Sequence, residues 1–338
     1  MTAELSTAAV PLDEVAPDAV ALIRAFRDGG GVSFQDVPLE QARAAYEAGC
    51  AANGIPVVSL ERVETLQCPV KGGAIGLRRY HPGTGTGSGG APRPVVVFLH
   101  GGGWVIGSLD THDRLCRRLA AVSGLDVVSV EYRLAPEHPF PTPLEDSRAA
   151  LEFVRDKAPE YGWDRNRIVV AGDSAGGNLA TVLATDPGSV VNGTTIIGQV
   201  LLYPVANLLD ESESYARIAE GFPLTADSMR WFRSLYLPDG QTASDLRVSP
   251  GLRSRADFAR NGVPAAFVVT VGLDPLADEG IAYAGLLAHA GAMVEHHHLP
   301  RHSHGLFTSA GLIPTGAKLF DRAANWLIEL TNPTKTIS

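Results

Sequence analysis

From residue 94 onward, short runs of apolar, β-branched residues alternate with segments whose apolar positions recur every three or four residues. PVVVFLH (94–100), DVVSVEY (126–132), RIVVAG (167–172), GQVLLYPV (198–205), AAFVVTVGLD (265–274) and VEHHHLP (294–300) read as strands. Residues 110–123, 143–158, a stretch opening near 175, 276–291 and 315–330 read as helices. Strands this apolar, each followed by a helix, predict a mainly parallel sheet covered on both faces. Upstream the rhythm differs. Residues 17–28 and 38–50 have helical spacing around the break DGGGVSF (28–34), and 63–70 and 74–80 are strand-like. GTGTGSGGAPRP (83–94) is a low-complexity loop. The stretch 206–250 interrupts the alternation with irregular chain and one helix, as an insertion lying over one end of the sheet would.

Composition narrows the class. A chain of 338 residues, 45% hydrophobic and 19% charged, buries a sizeable core in one large α/β domain or two ordinary ones. Its net charge of -9 and lack of a basic patch argue against a nucleic-acid partner. Cys50, Cys68 and Cys116 are far apart, without metal-ligand spacing, which suits a reducing compartment. The acidic N-terminal stretch has no signal-peptide pattern, and no apolar run is long enough to span a bilayer. A cytoplasmic protein without membrane insertion is expected.

One serine stands out. Ser174 lies in Gly172-Asp173-Ser174-Ala175-Gly176, between the strand RIVVAG and a helix opening at 175. A serine hydroxyl becomes a nucleophile only when it stands clear of the backbone within reach of a base. A sharp strand-to-helix turn achieves this, small residues at 172 and 176 avoid clashes, and the helix start aims amide N–H groups at developing negative charge. A plain helix cap is the competing reading, and Asp173 beside it reads as a local hydrogen-bonding residue.

A second constellation, His100-Gly101-Gly102-Gly103-Trp104, follows the strand PVVVFL directly. Consecutive glycines expose backbone amides that can stabilise the oxyanion of acyl transfer. An acid and then a base should follow later in the chain. Asp274 closes the strand AAFVVTVGLD, with Pro275 suited to the first turn of the next helix; Asp278 and Glu279 fall inside that helix and fit less well. Helix capping is the alternative for Asp274. For the base, His302 and His304 both lie just past the last strand. The triplet His296-His297-His298 alternates faces along a strand and has no carboxylate or thiol partner at ligand spacing, so no metal is expected.

HGGGW, YRLAPEHPFP (132–141), GDSAGG, DPLADEG and HSHGLF occur here in the order found in the hormone-sensitive-lipase-like esterases of the α/β-hydrolase superfamily, which the chain resembles from about residue 70 onward. The resemblance implies an α/β-hydrolase fold, a mainly parallel eight-stranded sheet flanked by helices with a mostly helical cap. It also implies Ser174 as nucleophile, Asp274 as acid and His304 as base, leaving His302 a bystander. The oxyanion hole would be Gly101, Gly102 and the amide of Ala175. Gly305-Leu306 departs slightly from the family's Gly-Phe.

On this reading residues 1–55 contribute to the cap, 56–205 and 251–338 form the core, and 206–250 is the cap insertion. The expected activity is hydrolysis of short- to medium-chain acyl esters, small-molecule substrates, with no cofactor. Amidase, lactonase or deacetylase chemistry with the same triad is the alternative, and a non-catalytic receptor on the scaffold is disfavoured by the presence of His304. The pocket wall is expected to draw on Trp104, Phe222, Trp231, Phe232 and Leu276. Arg133 and Glu137 are expected to pair internally behind the HGGGW loop, beside His138 and the stiffening prolines. The last strand, at a sheet edge, invites pairing as a homodimer.

Overall fold

Eight strands build one sheet: β1 (Arg62–Val70), β2 (Gly73–His81), β3 (Arg93–Leu99), β4 (Asp126–Val130), β5 (Trp163–Asp173), β6 (Ile196–Leu202), β7 (Ala265–Leu273) and β8 (Val294–Ser303). The computed structural model describes residues 9–83, 91–187, 193–239, 241–258 and 262–332; most of the low-complexity stretch 83–94 lies outside the described residues. The order is β1-β2-β4-β3-β5-β6-β7-β8. β1 pairs antiparallel with β2 and β2 with β4, and from β4 to β8 every pairing is parallel. Parallel neighbours require crossovers, and helices supply them. These are α3 (Asp113–Ser123), α4 (Thr142–Tyr161), α5 (Ala175–Thr185) and α9 (Ala277–His289), and α10 (Pro314–Thr331) follows β8.

The period-2 alternation of the strands divides the core. Val95, Val97 and Leu99 of β3 join Ile168 and Val170 of β5 in a cluster with Leu151 of α4 and Leu179 of α5. Val96 and Phe98 point the other way, with Val169 and Ala171, into a cluster holding Leu119 of α3 and Phe320 and Leu327 of α10. Neighbouring strands in register put matching residues on the same face, which is why an unbroken Val-Val-Val run serves two cores at once.

The remaining helices gather beyond the C-terminal ends of the strands: α1 (Val20–Asp28), α2 (Leu39–Asn53), α6 (Glu213–Arg217) and α7 (Ala226–Tyr236), with the one-turn α8 (Arg255–Phe258) further on. The insertion thus carries a short second helix besides the expected one. The N-terminal segment and the insertion hold each other. Arg27 Nε donates to the Gly221 carbonyl at 3.0 Å, Ser228 Oγ donates to Gln35 Oε1 at 2.9 Å, and the Phe34 and Phe232 rings lie 5.7 Å apart.

The turn after β4 corrects one expectation. Arg133 pairs with Asp146 of α4, at 2.8 and 2.6 Å, and Glu137 accepts two bonds of 2.8 Å from Arg43 of α2. Arg43 also donates to the carbonyls of Val105 and Ala135. Arg133 and Glu137 are near in sequence, but each faces a different helix. The Arg43 fork therefore ties α2 to the glycine loop instead of bracing the turn from within.

Candidate active site

Ser174 sits where β5 ends and α5 begins, with φ 54° and ψ -120°. This is a left-handed conformation that costs a non-glycine residue about 1–3 kcal/mol and persists only where the surroundings enforce it. The two glycines around it allow the crossing. A Cβ on Gly176 would lie 2.0 Å from the Leu99 carbonyl oxygen, and one on Gly172 would lie 2.4 Å from Gly176 itself. The serine is almost fully buried and opens onto a cavity of about 610 Å3.

His304 lines the same cavity and meets Asp274. His304 Nδ1 lies 2.7 Å from Asp274 Oδ2, and Asp274 is fully buried. The other carboxylate oxygen, Oδ1, accepts the Leu276 N–H at 2.9 Å. Asp274 therefore makes a contact for each reading the sequence allowed: one oxygen accepts an N–H in the turn into α9 and the other meets the histidine. That turn delays the helix to Ala277, so Pro275 stands before the first turn and not within it. His304 follows β8 directly, and Gly305, at φ 83°, turns the chain away behind it. His302 points elsewhere, its Nε2 3.1 Å from Asp18 Oδ1.

The glycine loop is held from behind. Gly101 N–H donates to Asp173 Oδ1 at 2.7 Å, so this amide is not available to an oxyanion. The expectation for Gly101 is corrected on that ground: its neighbour's carboxylate reaches it first. A Cβ on Gly101 would come within 2.4 Å of Asp173 Oδ2. Gly102, at φ 124°, and Gly103, at φ 60°, line the cavity instead, and a Cβ on Gly103 would press to 2.3 Å from the Phe232 ring. Ala175 is the first residue of α5, adjacent to Ser174.

Of the expected wall residues, Phe232 lines the cavity, whereas Trp104, Phe222, Trp231 and Leu276 do not. Trp104, turned to φ 61°, stacks behind the loop on Tyr236 at 4.1 Å. Phe222 is buried beneath the Arg27 guanidinium, Trp231 packs on the outer side of Phe232, and Leu276 is buried in the turn before α9. A third of the wall comes from α1 and α2. Gln41, Ala45, Gly49 and Asn53 recur every four residues along one face of α2, with Ala42, Tyr46 and Cys50 beside them, and Leu22 and Phe26 of α1 stand with them around the cavity. Burial pushes the Cys50 thiol up to about 12, so it is neutral and unreactive there.

Sequence reasoning passed over Tyr203. It is the residue directly after β6, at φ 38°, with its ring 4.3 Å from that of His304. Its position at a strand's C-terminal end was the available signal. The histidine triplet behaves as its alternation predicts: His296 Nε2 and His298 Nδ1 share the Thr270 hydroxyl at 2.8 and 2.9 Å, and His297 faces Glu295. Among the described residues no helix is long and apolar enough to cross a membrane.

Known proteins place this geometry in context. Residues 96–308 match a family model described as alpha/beta hydrolase fold. The chain is 39% identical over 275 residues to the carboxylic ester hydrolase LipN of Mycobacterium tuberculosis, spanning 80% of this chain and 70% of that one. It is 33% identical over 302 residues to an ethyl acetate hydrolase of Pseudomonas putida, spanning 88% and 93% of the two. A solved alpha/beta hydrolase from the metagenome of Lake Arreo superimposes with a TM-score of 0.84 at 36% identity, covering 93% of this chain and 98% of its own.

Proposed function

The chain belongs to the α/β-hydrolase family, in its hormone-sensitive-lipase-like esterase branch, and from that premise we propose that it is a serine carboxylesterase acting on short- to medium-chain acyl esters. The observation that carries the reading is that His304, 2.7 Å from Asp274 through Nδ1, lines the same cavity as the strained Ser174.

His304 donates its Nδ1 proton to the buried Asp274 carboxylate, which leaves Nε2 as the basic nitrogen. As the Ser174 hydroxyl attacks the ester carbonyl, Nε2 takes its proton, then returns it to the departing alcohol. The amides of Gly102, Gly103 and Ala175 receive the oxyanion, with the N-terminus of α5 adding its dipole. Water, deprotonated by the same nitrogen, then clears the acyl-enzyme. This chemistry calls for no cofactor.

Residues 1–55 and 206–250 act as the cap. Their apolar wall, with α2 and Phe232, excludes water and accepts the hydrocarbon part of the ester. The cavity's finite size supports the chain-length preference. Three free, buried cysteines support a reducing, cytoplasmic setting. The β8 edge supports a homodimer, although its far end is partly engaged, since the Ala16 N–H donates to the Arg301 carbonyl at 2.8 Å. Light scattering at micromolar concentration is expected to give twice the monomer mass; a monomer would remove the dimer.

Rapid mixing with a p-nitrophenyl ester, quenched in acid, tests the mechanism by mass spectrometry. An acyl adduct on the peptide containing Ser174 is expected. A steady-state turnover with no adduct, or with an adduct elsewhere, would overturn the assignment.

A further inference from the structure

Tyr203 stands between the nucleophile and the base, and the mechanism above gives it no task. The chain on either side of it is bonded to the backbone of Ser174. The Ser174 N–H donates to the Leu202 carbonyl at 2.9 Å, and the Val205 N–H donates to the Ser174 carbonyl at 3.2 Å. The Tyr203 N–H donates to the Val269 carbonyl of β7 at 2.7 Å, and Asn178 Nδ2 of α5 donates to the Val205 carbonyl at 2.9 Å. Held this way, Tyr203 adopts a φ of 38°. For so bulky a residue a positive φ is a genuine outlier, and Pro204 after it narrows the backbone's choices further. Strain of this kind persists only where the surroundings enforce it, and it gathers at functional sites. Here the strained turn lays the ring against His304, with centroids 4.3 Å apart and planes inclined by 45°.

His304 needs such a contact. Its one side-chain hydrogen bond among the described residues, Nδ1 to Asp274 Oδ2 at 2.7 Å, fixes a single ring atom. The imidazole can still pivot about that atom, and a pivot swings Nε2, across the ring, away from the Ser174 hydroxyl. A ring packed on the imidazole removes this freedom, and among the described residues Tyr203 is the only aromatic side chain in contact with it. Tyr203 is braced in turn by Phe307 at 5.4 Å, and Phe307 by Phe320 of α10 at 5.8 Å, all three buried. The Tyr203 hydroxyl makes no hydrogen bond to Ser174, Asp274 or His304, so the ring alone makes the contact.

We propose that Tyr203 is a positioning residue for the base: its backbone is locked to the Ser174 turn, and its ring holds the His304 imidazole with Nε2 facing the Ser174 hydroxyl. The kinetic consequences rest on the ester-hydrolase reading; the restraint on the histidine ring does not.

Proton NMR reads the restraint without substrate. The His304 Nδ1 proton, bonded to Asp274, is expected as a sharp far-downfield resonance in the wild type, assigned by its absence from His304→Gln. Tyr203→Phe keeps the ring and should keep that resonance. Tyr203→Leu removes the ring and should broaden it or lose it to exchange with water. A wild type without the resonance, or one equally sharp in Tyr203→Leu, overturns the proposal. With p-nitrophenyl butyrate, Tyr203→Leu should lower kcat by about tenfold to a hundredfold, with KM changed less than about threefold. Tyr203→Phe should stay within about threefold of the wild type in both constants. A leucine variant as fast as the wild type, or a phenylalanine variant as slow as the leucine one, also overturns it. If Tyr203→Leu fails to fold, Tyr203→Met, whose flexible chain fills irregular gaps, takes its place with the same expectations. A wild type inactive on esters would fail the ester-hydrolase reading, while the resonance would still decide whether Tyr203 restrains His304.

Discussion

Replacing Gly49 by leucine should shorten the cavity without harming the fold. Gly49 lies in the last turns of α2, lines the cavity, and a Cβ built there meets no atom within 4 Å. Glycine in a helix interior costs about 1 kcal/mol relative to a good helix former, so the variant should melt slightly higher than the wild type. The leucine side chain displaces about four methylenes of a bound chain, each worth ~0.8 kcal/mol when buried. That forfeits about 3 kcal/mol, or ~200-fold in kcat/KM, for an octanoate ester. An acetate ester, which reaches no further than Ser174 and the glycine loop, should change less than about threefold. The assay is kcat/KM for p-nitrophenyl acetate, butyrate, hexanoate and octanoate, with melting temperatures measured alongside. Gly49→Ala should fall between the two. An equal loss on acetate and octanoate, at unchanged stability, would refute the idea that the acyl chain runs along the Ala45–Gly49 face of α2.

Two further outcomes follow from buried carboxylates. Asp274→Asn should retain the fold but lose about 10⁴-fold in kcat, because an amide facing His304 Nδ1 favours the wrong tautomer; a loss under tenfold in ester turnover would remove Asp274 from the triad. Glu279 is buried in α9, where its Oε1 accepts the N–H groups of Ala206 and Asn207 at 2.8 and 3.0 Å while Oε2 has no partner among the described residues. Burial, against those two hydrogen bonds, raises its pKa from 4.5 to about 8. Between those values the folded chain holds a proton that the unfolded chain has released, so stability falls as pH rises from about 4.5 to about 8, by at most ~1.4 kcal/mol per pH unit. Glu279→Gln should remove this slope from urea unfolding curves collected across that range; an unchanged slope would place its origin elsewhere.

Much of the fold was legible because buried parallel strands leave a strong local signature. Val95 to Leu99 and Ala265 to Leu273 are apolar on both faces, and their boundaries agree with the sequence reading to within a residue or two. The positions of Ser174, Asp274 and His304 were legible for the same reason: each stands just past a strand's C-terminal end, with a glycine or proline within two residues. The wall was not. Trp104 is adjacent to the glycine loop, yet its positive φ and its stack on Tyr236 carry the indole behind it, a choice made by α7 and invisible locally. Partner choice was equally opaque. Arg133 and Glu137 are four residues apart, and each found a better-placed charge on another helix, Asp146 and Arg43. Asp173 was legible as a hydrogen-bonding residue, but nothing near it in sequence announced that its partners would be Gly101 and His112. The spacing of α2 suggested an amphipathic helix, but only packing shows that its small-residue face lines the cavity.

The most direct test of the central claim is hydrolysis of p-nitrophenyl esters from acetate to palmitate by the wild type and Ser174→Ala, side by side. Turnover that peaks at short or medium chains and disappears in the variant is the expected result. Turnover that survives in Ser174→Ala, or a wild type inactive on every ester, would contradict it.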